Sequence, residues 1–184
     1  VVGLTGANAA GKSAVAEALR DHGFTLHSLS DIVREEAARR GLPPEREHLI
    51  RIGNLLRREG GPGVLARRLL PRLGDRDVVD SIRNPAEVAT LRGLRHFVLL
   101  GVRASVENRF RRSLRRARPG DPATLEEFRL RERQENRAEP EGQQLEATFR
   151  LADRIVDNDG DLETLRSAVQ RFLADSSANA PVDR

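Results

Sequence analysis

An α/β fold, a five-stranded parallel sheet with helices on both faces, is what this sequence predicts, and three observations predict it. Five short apolar runs alternate with helical segments, the order that parallel strands and their right-handed crossovers require. The first run leads straight into Gly6-Ala7-Asn8-Ala9-Ala10-Gly11-Lys12-Ser13, a G-x-x-x-x-G-K-S loop standing between a strand and a helix. The last helix is clearly amphipathic, with Leu162, Leu165, Val169, Phe172 and Leu173 on one face.

Each element has its own justification. Val1 to Thr5 reads as a short buried strand, and Ser13 to Arg20 as the helix behind the loop. Phe24 to Leu29 alternates like a second strand and stops at Ser30-Asp31. Helices over Asp31 to Arg40, Glu45 to Glu59 and Val64 to Leu70 are punctuated by Gly41-Leu42-Pro43-Pro44 and Gly60-Gly61-Pro62-Gly63, so residues 31–73 form a helical insertion. Val78 to Ile82 is the third strand, and Arg83-Asn84-Pro85 opens a helix to Arg92. Phe97 to Val102 is a continuous apolar run, as buried parallel strands show. A basic helix follows, then the break Pro119-Gly120-Asp121-Pro122. Thr124-Leu125-Glu126-Glu127 has capping-box spacing and opens a charged helix to about Arg137. Glu139-Pro140-Glu141-Gly142 interrupts it, Gln143 to Ala152 resumes, and Arg154 to Asp157 is the fifth strand. Asp161 is the expected N-cap of the last helix.

Composition sets the outer bounds. A chain of 184 residues suits one domain with a proper core, residues 1–175, followed by a polar tail or linker at 176–184. No apolar run approaches membrane-spanning length and no signal-peptide pattern is present, so the expectation is a cytoplasmic protein with no membrane partner. The absence of cysteine excludes disulfides and thiolate zinc sites, and His22, His27, His48 and His96 are scattered without ligand spacing. Any metal is expected to arrive with a nucleotide. Residue 1 already lies in a strand and no methionine occurs, so a longer polypeptide is expected.

Lys12 is the only lysine; the other 31 of the 32 Lys+Arg residues are arginine. In such a loop backbone N–H groups curl round the α- and β-phosphates, while the lysine runs over the loop to the β/γ oxygens as a flexible point charge. A planar, wider guanidinium fits that slot poorly. The helix behind the loop aims free N–H groups and a partial positive charge at the same phosphates. Gly6, Ala9, Ala10, Gly11, Lys12, Ser13 and Ala14 are therefore the expected ATP-binding residues, with the Ser13 hydroxyl placed for Mg²⁺.

Ligands of parallel sheets sit beyond the carboxyl ends of the strands, which directs attention to Asp31, Asp80 and Arg83. Asp31 reads either as a helix N-cap or as a carboxylate that orients an acceptor hydroxyl. Asp80 reads either as a strand-end turn residue or as a Mg²⁺ ligand, and Arg83 either as a surface charge or as the grip on an acceptor phosphate. Arg34 and Arg57, from the insertion, are further acceptor ligands or members of a solvated face. Between Arg103 and Arg118 seven arginines stand against one acid, Glu107. Arg109, Arg112 and Arg116 share one side of that helix, and Arg111, Arg115 and Arg118 an adjacent side. With the break after it, residues 103–138 read as a lid that closes arginines over transferring phosphates, the alternative being a solvated basic face. Nucleic acid is disfavoured as a partner, because tyrosine and tryptophan are absent and six phenylalanines leave little for base stacking. Asp157-Asn158-Asp159-Gly160 is a turn by its chemistry, and its place beside the loop also suits a frame for adenine.

These segments together resemble the nucleotide-kinase branch of the P-loop NTPases. The likeness is to nucleoside-monophosphate-kinase-like and dephospho-CoA-kinase-like proteins, including the N-terminal kinase-like domain of some deoxycytidylate deaminases. It runs through the loop, Ser-Asp-Ile-Val-Arg-Glu-Glu-Ala at 30–37, Leu-Arg-Arg-Glu-Gly-Gly at 56–61, Asp-Ser-Ile-Arg-Asn-Pro at 80–85, the arginine-rich segment at 109–122, and Ala-Asp-Arg-Ile-Val-Asp-Asn-Asp-Gly at 152–160. The resemblance implies that Asp31, Arg34 and Arg83 serve the acceptor, Arg109, Arg112 and Arg116 the phosphates, and Asn158 with Gly160 the adenine. The loop departs from the family pattern at Ala9-Ala10, where such kinases often carry a glycine; a slightly stiffer loop that still binds phosphate is expected. A nucleic-acid-dependent ATPase ranks last, for want of a recognisable DNA-reading motif, and three functions stay open ahead of it. They are ATP-dependent transfer to a small phosphorylated acceptor, first of all a (deoxy)nucleoside monophosphate; a dephospho-CoA-kinase-like activity; and non-catalytic nucleotide sensing within a larger, deaminase-linked protein. Oligomeric state has no signature in the sequence.

Overall fold

The computed structural model describes residues 1–117, 121–136 and 142–178, with backbone alone for 135 and 176–178. Arg118, the Pro119-Gly120 part of the first break, the Glu139-Pro140-Glu141 break and the tail from 179 lie outside the described residues. The strands are β1 (Val2–Thr5), β2 (Thr25–Ser28), β3 (Asp77–Asp80), β4 (Val98–Arg103) and β5 (Arg154–Asp157), all parallel, in the order β2-β3-β1-β4-β5. The helices are α1 (Lys12–Asp21), α2 (Leu29–Arg39), α3 (Arg46–Gly60), α4 (Val64–Leu69), α5 (Pro85–Leu91), α6 (Val106–Arg116), α7 (Leu125–Glu135), α8 (Leu145–Phe149) and α9 (Leu162–Ala178). The predicted fold class is the one observed.

Burial follows sheet position. Central β1 is buried along its length, whereas the edge strands β2 and β5 leave Leu26 and Ile155 exposed. On one face α1 and α9 cover Leu4, Val78, Leu100, Val102 and Val156. On the other, α2, α3, α4 and α5 enclose Val79, Ile82 and Leu99. β1 and β3 are neighbours whose chains continue to opposite faces, through α1 and α5. Such a divergence opens a crevice at the strands' carboxyl ends, where doubly wound sheets bind ligands.

Several boundaries differ from expectation for identifiable reasons. α2 begins at Leu29 because Ser28 caps it, accepting from the Ser30 amide at 3.4 Å; Asp31 is a first-turn acid and not the N-cap. β3 stops at Asp80, since Ser81 takes a left-handed φ of 65° and leaves the sheet. The expected helix from Gln143 to Ala152 shortens to α8. The capping box at Thr124 forms, with Thr124 Oγ1 accepting from the Glu127 amide at 3.2 Å and Glu127 accepting from the Thr124 amide at 3.3 Å. Asp161 caps α9, its Oδ1 accepting from the Thr164 amide at 2.8 Å. Among the described residues no helix is long and apolar enough to cross a membrane.

Candidate active site

The loop between β1 and α1 owes its shape to two close approaches that only glycine permits. A Cβ on Gly6, at φ +143°, would stand 2.3 Å from the Val102 carbonyl oxygen. One on Gly11, at φ +101°, would stand 1.9 Å from Asn158 Nδ2. That amide nitrogen instead donates to the Ala10 carbonyl at 2.8 Å, so Asn158 is fastened to the loop, while Gly160 sits in the turn ahead of α9. The Ala9-Ala10 departure divides unequally: Ala10 is fully buried, whereas Ala9 adopts the left-handed φ of 59°. That conformation costs an L-residue about 1–2 kcal/mol, and glycine's extra unfolded freedom offsets roughly half of the relief. Ala9→Gly is therefore expected to stabilise the protein by about 0.5 kcal/mol, read as a small rise in thermal midpoint; a fall would contradict the assignment of strain to Ala9.

Lys12 curls back over the loop. Its Nζ donates to the Gly6 and Ala7 carbonyls at 2.7 and 3.0 Å. Burial pulls its pKa down to about 8; the Asp80 carboxylate opposes the fall, and Arg83, Arg109 and Arg116 add to it. A bound phosphate favours the charged ammonium and raises its pKa, so above pH 8 binding must take up a proton. ATP affinity, measured by calorimetry, is expected to be flat below pH 8 and to weaken above it by up to about tenfold per pH unit. An affinity unchanged to pH 9.5 would exclude this coupling.

Asp80 lies at the carboxyl end of β3. Its Oδ2 accepts from Ser81 Oγ at 3.4 Å, while its Oδ1 is buried with no partner among the described residues. An unsatisfied buried carboxylate oxygen is costly unless something else meets it. A carboxylate and the Ser13 hydroxyl are hard oxygen donors of the kind Mg²⁺ prefers, so these residues fit the ion expected with ATP.

The loop after β3 is held from several sides. The Arg83 guanidinium donates to Gln143 Oε1 at 3.0 Å, and the Arg83 carbonyl accepts from the Gln144 amide at 2.8 Å. Asn84 caps α5 in a capping box completed by Glu87, with Pro85 in the first turn. The Asn-Pro-x-Glu spacing at 84–87 is a legible signal of that box, and Glu87 is the residue it singles out.

From the other side α6 leans over the loop. Arg109 is buried; it donates to the Ala104 carbonyl at 3.2 Å and the Asn8 carbonyl at 3.4 Å, pairs with Glu132, and stacks over Phe128 at 5.5 Å. Arg112 donates to the Ala10 carbonyl at 3.2 Å and the Asn158 carbonyl at 2.6 Å. Arg116 pairs with Asp121 at 3.3 Å, and its Nε is buried without a partner among the described residues. Of the expected side of α6, Arg109 and Arg112 therefore face the loop, while Arg116 turns to Asp121. A cavity of about 350 Å³ opens beside Ala7, floored by Val102, Ala104, Leu145 and Phe149.

The insertion's expected ligands sit differently. Asp31 and Arg34 are paired with each other on an exposed turn of α2, an interaction worth about 0–1 kcal/mol. Arg57 is buried, and both its Nε and Nη2 bond Glu87, at 3.1 and 2.9 Å. In this arrangement its guanidinium is committed to an internal carboxylate. In an arginine-rich sequence no local signal tells it from its neighbours.

No family model matches the chain. It is 38% identical over 178 residues to a UPF0200 protein of Hyperthermus butylicus, an overlap of 95% of this chain and 93% of that protein. Among solved structures it resembles TT1252 from Thermus thermophilus, with a TM-score of 0.59, 28% identity and coverage of 95% and 96%. It also resembles a shikimate kinase from Acinetobacter baumannii in complex with shikimate, with a TM-score of 0.61, 15% identity and coverage of 98% and 94%. The second likeness concerns fold alone, and that fold is the P-loop kinase fold the sequence resembles. With a relative this similar over nearly its whole length, the chain belongs to the UPF0200 family.

Proposed function

We propose that this protein is an ATP-dependent phosphotransferase that moves the γ-phosphate to a small phosphorylated acceptor, first of all a (deoxy)nucleoside monophosphate. The observation that carries the reading is the glycine-shaped loop between β1 and α1, with Lys12 curled over it and Arg109 and Arg112 of α6 bonded to its Asn8 and Ala10 carbonyls. Lys12 turns from the Gly6 and Ala7 carbonyls to the β/γ oxygens, and the amides of the loop and of the first turn of α1 hold the remaining phosphate oxygens. Arg83 presents a planar, always charged grip for the acceptor's own phosphate. The arginines of α6 oppose charge on the equatorial oxygens as the bond to the acceptor forms and the bond to the ADP oxygen breaks. Asn158, fastened to Ala10 beside Arg112, frames the nucleotide's base, and Asp31 with Arg34 orients the acceptor from α2. Mg²⁺, held by Ser13 and Asp80, would neutralise charge on the β- and γ-oxygens. The cavity beside Ala7 offers room for a small organic group near the loop.

A coupled assay of ADP release over a panel of (deoxy)nucleoside monophosphates and dephospho-CoA tests this, with shikimate as a non-phosphorylated comparison. Acceptor-dependent release above background is expected with a phosphorylated compound. ATP binding with no release for any acceptor would overturn transfer in favour of nucleotide sensing.

A further inference from the structure

We infer that Glu87, with Arg57 behind it, is a positioning residue that sets the acceptor-side loop Ser81–Asn84 and so aims Arg83; this rests on the phosphotransferase reading. Glu87 is completely buried. Its two carboxylate oxygens have separate duties. Oε1 accepts from Arg57 Nε and Nη2, at 3.1 and 2.9 Å. Oε2 accepts from the Arg83 and Asn84 amides, at 2.8 and 3.1 Å. The capping box of α5 needs only the Asn84 amide; the bond to the Arg83 amide lies beyond it and reaches the residue expected to hold the acceptor. A buried carboxylate is tolerated only when paired and fully bonded, and Arg57 supplies that pairing from the insertion helix α3.

The loop needs such a hold. Ser81 stands at φ 65°, a conformation unfavourable for a side-chain-bearing residue, so the backbone there persists only if its surroundings over-determine it. Thr5 Oγ1 ties down the Ile82 carbonyl at 3.2 Å, Glu87 ties down the next two amides, and Asn84 Nδ2 donates to the Gly142 carbonyl at 3.1 Å. With Gln143 on the Arg83 guanidinium, the chain of bonds runs from the insertion through Glu87 to the returning end of the lid. The arginine is aimed by α3, through Glu87, and by the segment before α8.

Glu87→Gln is the discriminating change. It is isosteric, but its amide nitrogen must confront either the Arg57 guanidinium or the two backbone amides, donor against donor. Amide hydrogen exchange at Arg83 and Asn84 is expected to accelerate about tenfold, and acceptor KM to rise by about tenfold with kcat less affected and ATP-analogue affinity unchanged. The double variant Arg57→Met, Glu87→Gln frees the glutamine to turn its oxygen to the amides. It is expected to restore both exchange protection and KM towards wild type, and it carries the test if the single variant fails to fold. Unchanged exchange at Arg83 and Asn84 in the single variant would overturn the inference. So would KM and ATP affinity deteriorating together in step with melting temperature, without rescue in the double variant. If the wild-type protein transfers phosphate to no acceptor, the phosphotransferase reading fails, and the exchange measurement alone decides whether Glu87 sets this loop.

Discussion

Lys12→Arg is expected to reduce phosphoryl transfer by at least about 100-fold while leaving the fold intact. The charge is kept, so a purely electrostatic account of the site would foresee little change. Geometry decides otherwise. Nζ lies within 3.0 Å of two carbonyls of the loop it must leave to reach a phosphate, and the loop is closed in by Val102 behind Gly6 and Asn158 behind Gly11. A single ammonium can pivot between those carbonyls and a phosphate oxygen; a flat fork of five donors has no room to do so. The control is Arg111, exposed on the outer side of α6, whose replacement by lysine is expected to leave turnover unchanged. Steady-state turnover, binding of a fluorescent ATP analogue and the thermal midpoint, measured side by side, check this. Comparable losses for Lys12→Arg and Arg111→Lys would remove Lys12 from the centre of the mechanism.

Asp80→Asn is expected to have the second largest effect, a fall in kcat of about 100-fold. The carboxylate has two linked duties at the crevice. Its Oδ1 is buried without a protein partner among the described residues, and its charge is the attraction that most opposes the loss of the Lys12 proton. Removing that charge lets Lys12 deprotonate at lower pH. The pH above which ATP affinity weakens should therefore move below about 8, the same direction as any further burial of the ammonium. Loss of turnover together with an unchanged pH profile would separate Asp80 from Lys12. A profile that moves up would reverse the sign of the coupling and contradict the arrangement described.

Some of this site is legible in a single pass along the chain because it is local. Gly6 through Ser13 is one contiguous stretch whose glycines, lysine and hydroxyl stand at the spacings of the G-x-x-x-x-G-K-S motif. Apolar runs mark buried strands, and a threonine three residues ahead of a glutamate marks the start of α7. Asp80 and Arg83 are singled out by a weaker rule, that residues just past parallel strands line the ligand crevice. Other assignments depended on side-chain direction, which spacing does not carry. Asp31 follows a strand as Asp80 does, yet it pairs with Arg34 on an exposed turn while Asp80 keeps a buried Oδ1 with no partner among the described residues.

What the sequence determined by itself is the class of fold, the glycine-lysine loop and its ordering between strand and helix, and the side of the basic helix that meets it. These follow from periods of two and 3.6 and from motifs a few residues long. Tertiary structure alone decided which partner each arginine finds. Arg57 finds Glu87 30 positions away, Arg112 finds the Asn158 carbonyl 46 away, and Asn158 finds Ala10 148 away. Thirty-one arginines are chemically alike along the chain, and what distinguishes them is which carboxylate or carbonyl the folded core brings within 3.5 Å and withholds from water.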